Sequence, residues 1–225
     1  MLDNRILERV DAHGKNLIYR WEDAPSLHVH LGLVGKFPTY AIDAPPPSPA
    51  TRLVFANGDV RAYLTGPMTC SILDPEDADA VIDRLGPDPL GDPDAAEEFA
   101  HRLARRSVPI GVAMLDQKVL AGVGNVYRSE VLFLNGINPK TPANRLKSAT
   151  AEALWQTTVD QLQVGLQHDR IITVSTEDAE AGADERVYVY KRSGEPCLRC
   201  GTPIRSATYG QRNVWWCPNC QRRRT

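Results

Sequence analysis

The stretch Cys197–Cys220, CLRCGTPIRSATYGQRNVWWCPNC, carries the strongest chemical signal in the chain. Cys197 and Cys200 form one C-x2-C pair, Cys217 and Cys220 another, and sixteen residues separate the pairs. Each pair sits on a tight turn, so two sulfurs converge on one point, and two such pairs complete a tetrahedral four-thiolate zinc site. Two disulfides are the competing use of four cysteines. The opening residues, with Asp3, Glu8 and Asp11 and no apolar run, are not a secretory signal, and a reducing cytoplasm disfavours disulfides. With all four ligands drawn from the protein, no coordination position is open, so one zinc per chain is expected, structural rather than catalytic. The polar, β-like residues between the pairs predict a small zinc-bound hairpin with Arg212 at its tip. A rigid guanidinium fork there suits a phosphate; an exposed surface arginine is the plainer use of the same residue. The fifth cysteine, Cys70, reads as a small buried side chain.

Upstream, Leu115–Phe133 reads LDQKVLAGVGNVYRSEVLF. Gly122 and Gly124 flank Val123, and Asn125 opens an amphipathic helix that ends at Gly136, with Pro139 beyond it. A helix N-terminus offers unpaired N–H groups and the positive end of its dipole, and small residues before it let a ligand approach the backbone. Asn125 adds a side-chain donor, so the turn can clamp a phosphate. The plainer reading is a glycine turn that merely starts a helix. Neither a Walker loop nor a dinucleotide-binding fingerprint fits, because no Gly-Lys-Ser/Thr follows and the flanking pattern is wrong.

Further toward the N-terminus the periodicity changes. Leu17, Tyr19 and Trp21 alternate with Ile18 and Arg20, and Leu27, Val29, Leu31 and Leu33 share one face, both signs of half-buried strands. Residues 44–50, APPPSPA, form a loop that cannot pair in a sheet. Asn57-Gly58 between Val54-Phe55 and Val60 predicts a hairpin whose turn needs positive φ. The first third is therefore antiparallel β. Pro and Gly punctuation from Asp74 onward marks a boundary with at most a short helix. Three helices follow, in Ala95–Arg106, Asn125–Gly136 and Ser148–Leu166, the last with Ser148 as a candidate cap. Residues 176–186, TEDAEAGADER, predict a mobile acidic loop.

The net charge of −2 conceals an asymmetry. Eight Lys/Arg stand against one acid from Lys191 onward, and eight against two between Arg102 and Lys147, whereas ten acids crowd Asp74–Glu98. Two basic blocks suit a polyanion-binding face, or are ordinary solvated surfaces. No apolar run is long enough to span a membrane. A soluble cytoplasmic protein is expected.

In combination, LDQKVLAGVGNVYRSEVLFLNGINP followed by VYVYKRSGEPCLRCGTPI…GQRNVWWCPNCQ closely resembles the formamidopyrimidine-DNA glycosylase / endonuclease VIII family. AHGKNLIYRW, HVHLGLVGKF and DRLGPDPL add to the likeness, which runs over nearly the whole chain. The resemblance implies an α+β multidomain fold: an antiparallel β-sandwich (1–86), incomplete at its start, a helical helix–two-turn–helix domain (87–186) and a four-cysteine zinc finger (187–225). It implies a monomer that binds damaged double-stranded DNA between its two halves, near the nucleoid of a bacterium. It further implies flipping of a damaged base, cleavage of its glycosidic bond and β,δ-elimination of the backbone.

Residue by residue, Lys15 in HGKNL matches the family lysine that binds phosphate near the lesion and assists β-elimination. Asn125, with Gly124, matches the asparagine turn on the DNA backbone. Arg212 matches the arginine that grips the phosphates flanking the flipped nucleotide and acts in δ-elimination. Arg84 matches a DNA-binding arginine of the endonuclease VIII branch, or is a cation at a helix end near Gly86. Arg128, one turn past Gly124, reaches phosphate or is solvated. Where the formamidopyrimidine branch fills the emptied duplex with a methionine and an Arg-Phe pair, this chain has Leu33 and TGPMTCS, which favours oxidised pyrimidines over 8-oxoguanine. His28 and His30 share a strand face without a third ligand and make no metal site. The family nucleophile is an N-terminal proline followed by glutamate, whereas this sequence begins Met1-Leu2-Asp3-Asn4. Its expected start lies inside the N-terminal domain. A start placed too far downstream, a truncated DNA-binding paralogue without this chemistry and a deliberate fragment are the three explanations.

Overall fold

The computed structural model describes residues 2–180 and 186–222. It divides into two compact units, Met1–Arg84 and Leu85–Thr225. The first holds β1 (Leu7–His13), β2 (Asn16–Trp21), β3 (Ser26–His30), β4 (Thr39–Ala41), β5 (Thr51–Ala56), β6 (Val60–Thr65), β7 (Thr69–Leu73) and α1 (Pro75–Asp83). Its strands form two antiparallel sheets, ordered β1-β2-β3-β7 and β4-β6-β5. Trp21, Leu27, Val29 and Leu64 make the core between them, with Tyr19, Phe37 and Phe55 packed alongside. The Tyr19 ring meets Phe55 edge-on at 5.1 Å.

Several sequence expectations shift here. β1 escaped the alternation test because it is an edge strand with most of its residues exposed, so neither face has to be apolar. Lys15 lies in the two-residue turn between β1 and β2, beside Gly14 at φ +59°. The second alternating run stops at His30, and Leu33 lies beyond it, 82% exposed. The Asn57 hairpin is present, but its turn has three residues and no positive φ. Asn57 Oδ1 shapes it by accepting the Asp59 and Val60 N–H groups, each at 2.9 Å. Cys70 is half-buried and faces Val29 across the β3–β7 pair.

Burial holds the His28 and His30 imidazoles below their ordinary value, His30 additionally through the charge of Lys15. A depressed histidine favours the neutral ring in the folded state, so its stabilisation is complete above the unfolded value and is lost as pH falls. Melting temperature should therefore drop as pH falls below about 6.5, and His28→Gln/His30→Gln should flatten that slope in scanning calorimetry.

The second unit holds α2 (Ala96–Ala104), α3 (Ile110–Ala113), α4 (Asn125–Leu134), a 3-10 turn (Ala143–Arg145), α5 (Ser148–Gln167), α6 (Thr176–Glu180), β8 (Arg205–Tyr209) and β9 (Arg212–Trp216). Phe99, Leu103, Ile110, Met114, Leu132, Leu154 and Trp155 lead its larger core. The Trp155 indole N–H donates to Pro93 O at 2.7 Å. α5 begins at Ser148, one residue before expectation, so Ser148 is not the cap; its Oγ instead donates to Glu152 Oε1 at 2.7 Å. Residues 176–180 form the short α6 rather than part of a loop, whereas 181–185 lie outside the described residues. No described helix is long and apolar enough to cross a membrane.

Phe133 of α4 belongs to a second core with Tyr188, Val189, Ile204 and two of the cysteines. Its ring stacks on Tyr188 at 4.8 Å. Beside it the fully buried Glu130 carboxylate accepts backbone N–H bonds from Tyr188 (2.7 Å), Val189 (2.9 Å) and Tyr190 (2.8 Å), and the Thr173 hydroxyl at 2.6 Å. Burial pushes this carboxyl up, while four donors hold it down. Every neighbour is a donor, so the ionised form is the one the geometry satisfies. Glu130 thus fastens α4 to the turn, Tyr188–Tyr190, that leads into the zinc segment.

Candidate nucleic-acid interface and metal centre

The four cysteines converge as their spacing predicts. Their sulfurs all lie within 4.8 Å of one another. Individual separations are 3.9 Å for Cys197–Cys220 and 3.5 Å for Cys200–Cys217 and Cys200–Cys220. A tetrahedron with Zn–S bonds of about 2.3 Å has edges of roughly 3.8 Å, so the set fits zinc. The Thr202 hydroxyl, 3.4 Å from Cys200 Sγ, holds that thiol down at about 5, whereas burial pushes Cys197 and Cys220 up.

The cluster is built into its surroundings. Gln221, fully buried, accepts the Cys217 N–H at 2.8 Å and donates to Ile137 O at 2.8 Å. Asn138 Nδ2 donates to Gln221 O at 2.7 Å. The turn after α4 and the second cysteine pair are therefore one hydrogen-bonded piece. Arg199, between Cys197 and Cys200, lies over the Phe133 and Tyr188 rings at 5.2 and 4.8 Å and pairs with Asp178 of α6 at 3.3 Å. Burial opposes that cation, but Tyr188 and Asp178 together hold it above its usual value.

β8 and β9 form the predicted hairpin, with Tyr209 opposite Arg212 and Gly210 at φ +61° in the turn. Arg212 is exposed at its tip. A cleft of about 290 Å³ separates this tip from Val112, Leu115 and Asp116.

α4 starts as expected, with Gly124 as its N-cap and Asn125 as the first helical residue. The turn before it is wrapped around Gln117, whose amide donates to Leu115 O and Val123 O and accepts the Gly122 N–H, at 3.1–3.2 Å. Gly122 needs its glycine, since its φ is +81°. At Gly124, φ is −112° and a Cβ would meet nothing within 4 Å. No contact within the protein demands glycine there; the open space lies in front of the helix N-terminus.

Arg128 corrects the sequence reading. It is fully buried, not solvated, and its guanidinium is turned inward to Gly111 O (2.8 Å), Asn125 Oδ1 and Asn213 O. As built it presents no surface to a phosphate. Burial, helped by nearby Arg212, lowers it to about 10, which still leaves it charged at neutral pH. The structure thus brings Gly124, Asn125, Arg128 and Arg212 together. Lys15 and Arg84 belong to the first unit, Lys15 exposed in its turn and Arg84 exposed at the C-cap of α1. Gln117, Glu130, Asn213 and Gln221 carry the architecture without having stood out in the sequence. Only Gln117 had a local signal, its place five residues before a glycine of positive φ.

Comparison with known proteins agrees with this geometry. Residues 85–177 match the formamidopyrimidine-DNA glycosylase H2TH domain, and residues 194–223 the zinc finger found in FPG and IleRS. Endonuclease 8 1 of Mycobacterium tuberculosis is 38% identical over 229 residues, covering 98% of this chain and 85% of the relative. Formamidopyrimidine-DNA glycosylase of Herpetosiphon aurantiacus is 34% identical over 223 residues, covering 96% and 82%. Among solved structures, the Lactococcus lactis formamidopyrimidine-DNA glycosylase bound non-covalently to DNA containing an abasic site superposes with a TM-score of 0.79 at 24% identity, covering 97% of this chain and 82% of that one. With likeness running over almost the full chain, the protein belongs to the formamidopyrimidine-DNA glycosylase / endonuclease VIII family of DNA-repair glycosylases.

Proposed function

We propose that this protein removes oxidised bases, pyrimidines above all, from double-stranded DNA and cleaves the resulting abasic site by β,δ-elimination. The observation that carries the reading is the joining of Asn125, at the N-terminus of α4, to the Arg212 hairpin tip through one buried arginine. Two groups suited to backbone phosphates are thereby held in one rigid piece. In this reading Arg212 grips the phosphates beside the lesion, Lys15 contacts phosphate and assists β-elimination, and Arg84 adds a backbone contact. One zinc ion per chain stabilises the hairpin and takes no part in the chemistry. The protein acts as a monomer on the bacterial nucleoid.

The chemistry calls for a terminal secondary amine, and position 2 is Leu2. The decisive assay is borohydride trapping on abasic-site duplex, with the 225-residue chain and with a form extended upstream to an in-frame Met-Pro-Glu. A covalent adduct and strand products bearing phosphate at both ends support the reading. Salt-dependent binding with no adduct from either form identifies a DNA-binding paralogue instead. No binding at all sinks both.

Gly124→Ala provides a separate check. With open space at Cβ and φ in the ordinary range the added methyl group meets no clash, and loss of glycine at the N-cap, about 1 kcal/mol, should lower the melting temperature by no more than about 4 °C. Its affinity for abasic-site duplex should fall about tenfold, as a methyl group enters the space a phosphate would use. Equal affinity would show that the turn does not touch DNA.

A further inference from the structure

We propose that Arg128 is a positioning residue that locks the N-terminus of α4 and the zinc hairpin into a single phosphate-binding unit, without itself touching DNA. The inference rests on the glycosylase reading for what the unit binds, and on geometry alone for how the unit is held.

Three observations carry it. First, Arg128 spends its guanidinium on acceptors from three separate pieces of chain: Gly111 O in α3, Asn125 Oδ1 in α4 and Asn213 O in β9. The planar fork is the one side chain with enough fixed donors to hold three acceptors at set angles. Second, the bond to Asn125 is made to the carbonyl oxygen of the side-chain amide. That choice leaves the Asn125 Nδ2 donor turned away from Arg128 and not spent on it. Third, the bond to Asn213 O fixes the backbone immediately after Arg212. Arg212 remains exposed, with its like charge close enough to lower Arg128. Two neighbouring cations are tolerated because the buried one is surrounded by carbonyl oxygens. The second unit therefore orients a neutral donor and a cation through one residue that solvent does not reach.

Arg128→Met keeps the length of the side chain and removes the fork, and Arg128→Lys keeps the charge and shortens the reach. Hydrogen exchange of the zinc-loaded protein, without DNA, tests the lock directly. Amides of Arg205–Trp216 should exchange at least about tenfold faster in Arg128→Met and by an intermediate factor in Arg128→Lys, with zinc content unchanged. Unchanged exchange in that hairpin in both variants overturns the proposal whatever the DNA result. Should Arg128→Met lose its fold, Arg128→Lys is read alone by the same criterion. The second arm measures affinity for a duplex carrying a tetrahydrofuran abasic analogue. Arg128→Met should weaken binding at least about tenfold in the parent, yet less than about twofold in an Asn125→Ala/Arg212→Ala background. An equal loss in both backgrounds would mean that Arg128 contacts DNA itself. Failure of the parent chain to bind the duplex would count against the glycosylase reading and leave the exchange result to decide the lock.

Discussion

Replacing Cys217 by serine, or stripping the metal with a chelator, is expected to unfold the segment from Tyr188 to Gln221. Two of its thiolates are buried in the core that contains Phe133, Tyr188, Val189 and Ile204, and a metal on the four cysteines would tie the chain on both sides of the β8–β9 hairpin to that core, beside the bonds from Arg128 and Glu130. A two-stranded hairpin is marginal in water by itself. The metal contributes an apparent binding energy of about 10–16 kcal/mol in zinc-finger peptides, as large as the whole stability of a typical domain. Loss should appear as collapse of the near-ultraviolet signal of Trp215 and Trp216, which lie in β9. DNA affinity should fall with it. Two charge-assisted hydrogen bonds from Arg212 at about 1.5 kcal/mol each make about 3 kcal/mol, roughly a hundredfold. A near-ultraviolet spectrum indifferent to chelation, with metal removal confirmed by elemental analysis, would show that the hairpin folds without its zinc. The same measurement gives the zinc stoichiometry, for which one ion per chain is the expected value.

Glu130→Gln should be nearly as damaging, although it changes a single atom. The carboxylate accepts bonds from three consecutive backbone N–H groups and one hydroxyl, in a site closed to solvent. An amide offers one oxygen in place of two, and its NH2 must face donors. A hydrogen bond to a charged group is worth about 1.5–3 kcal/mol, so spoiling two of the four costs about 3–6 kcal/mol. For a unit of this size that lowers the melting temperature by on the order of 10 °C in scanning calorimetry. Glu130→Ala should cost at least as much, since it adds a cavity to the lost acceptors. A shift under about 2 °C for both variants would mean that the Tyr188–Tyr190 amides find other acceptors, and that Glu130 does not fasten α4 to the zinc segment. Because the bonds run from α4 to residues 58–60 positions away, the two predictions are coupled: without zinc, Glu130→Gln should cost much less.

Where expectation and structure part, the reason is specific in each case. β1 leaves no period-2 signal because it is an edge strand with both faces wet. Ser148 lost its capping role because Lys147 already has the extended backbone an N-cap requires, which moves the helix start back by one residue. The Asn57-Gly58 turn formed through the Asn57 side chain rather than through glycine's freedom. Arg128 looked like a surface cation because its helical neighbours in sequence say nothing about a carbonyl 85 positions away.

Chemistry carried on short contiguous segments is legible along the chain. Two C-x2-C turns bring sulfurs together at the range of two bonds and a turn, and a glycine pair followed by Asn125 writes a helix start and its free N–H groups into a few residues. These are local relations, so spacing encodes them, and the likeness to a family follows from the same segments. Which polar groups are buried, and what satisfies them, emerges from the folded arrangement instead. Glu130, Arg128 and Gln221 are charged or polar residues that any composition rule would leave on the surface. They are inside because each finds donors or acceptors on elements some 17 to 85 positions away in sequence. Satisfaction of a buried polar group is a property of three-dimensional neighbours, and no pattern along the chain records it.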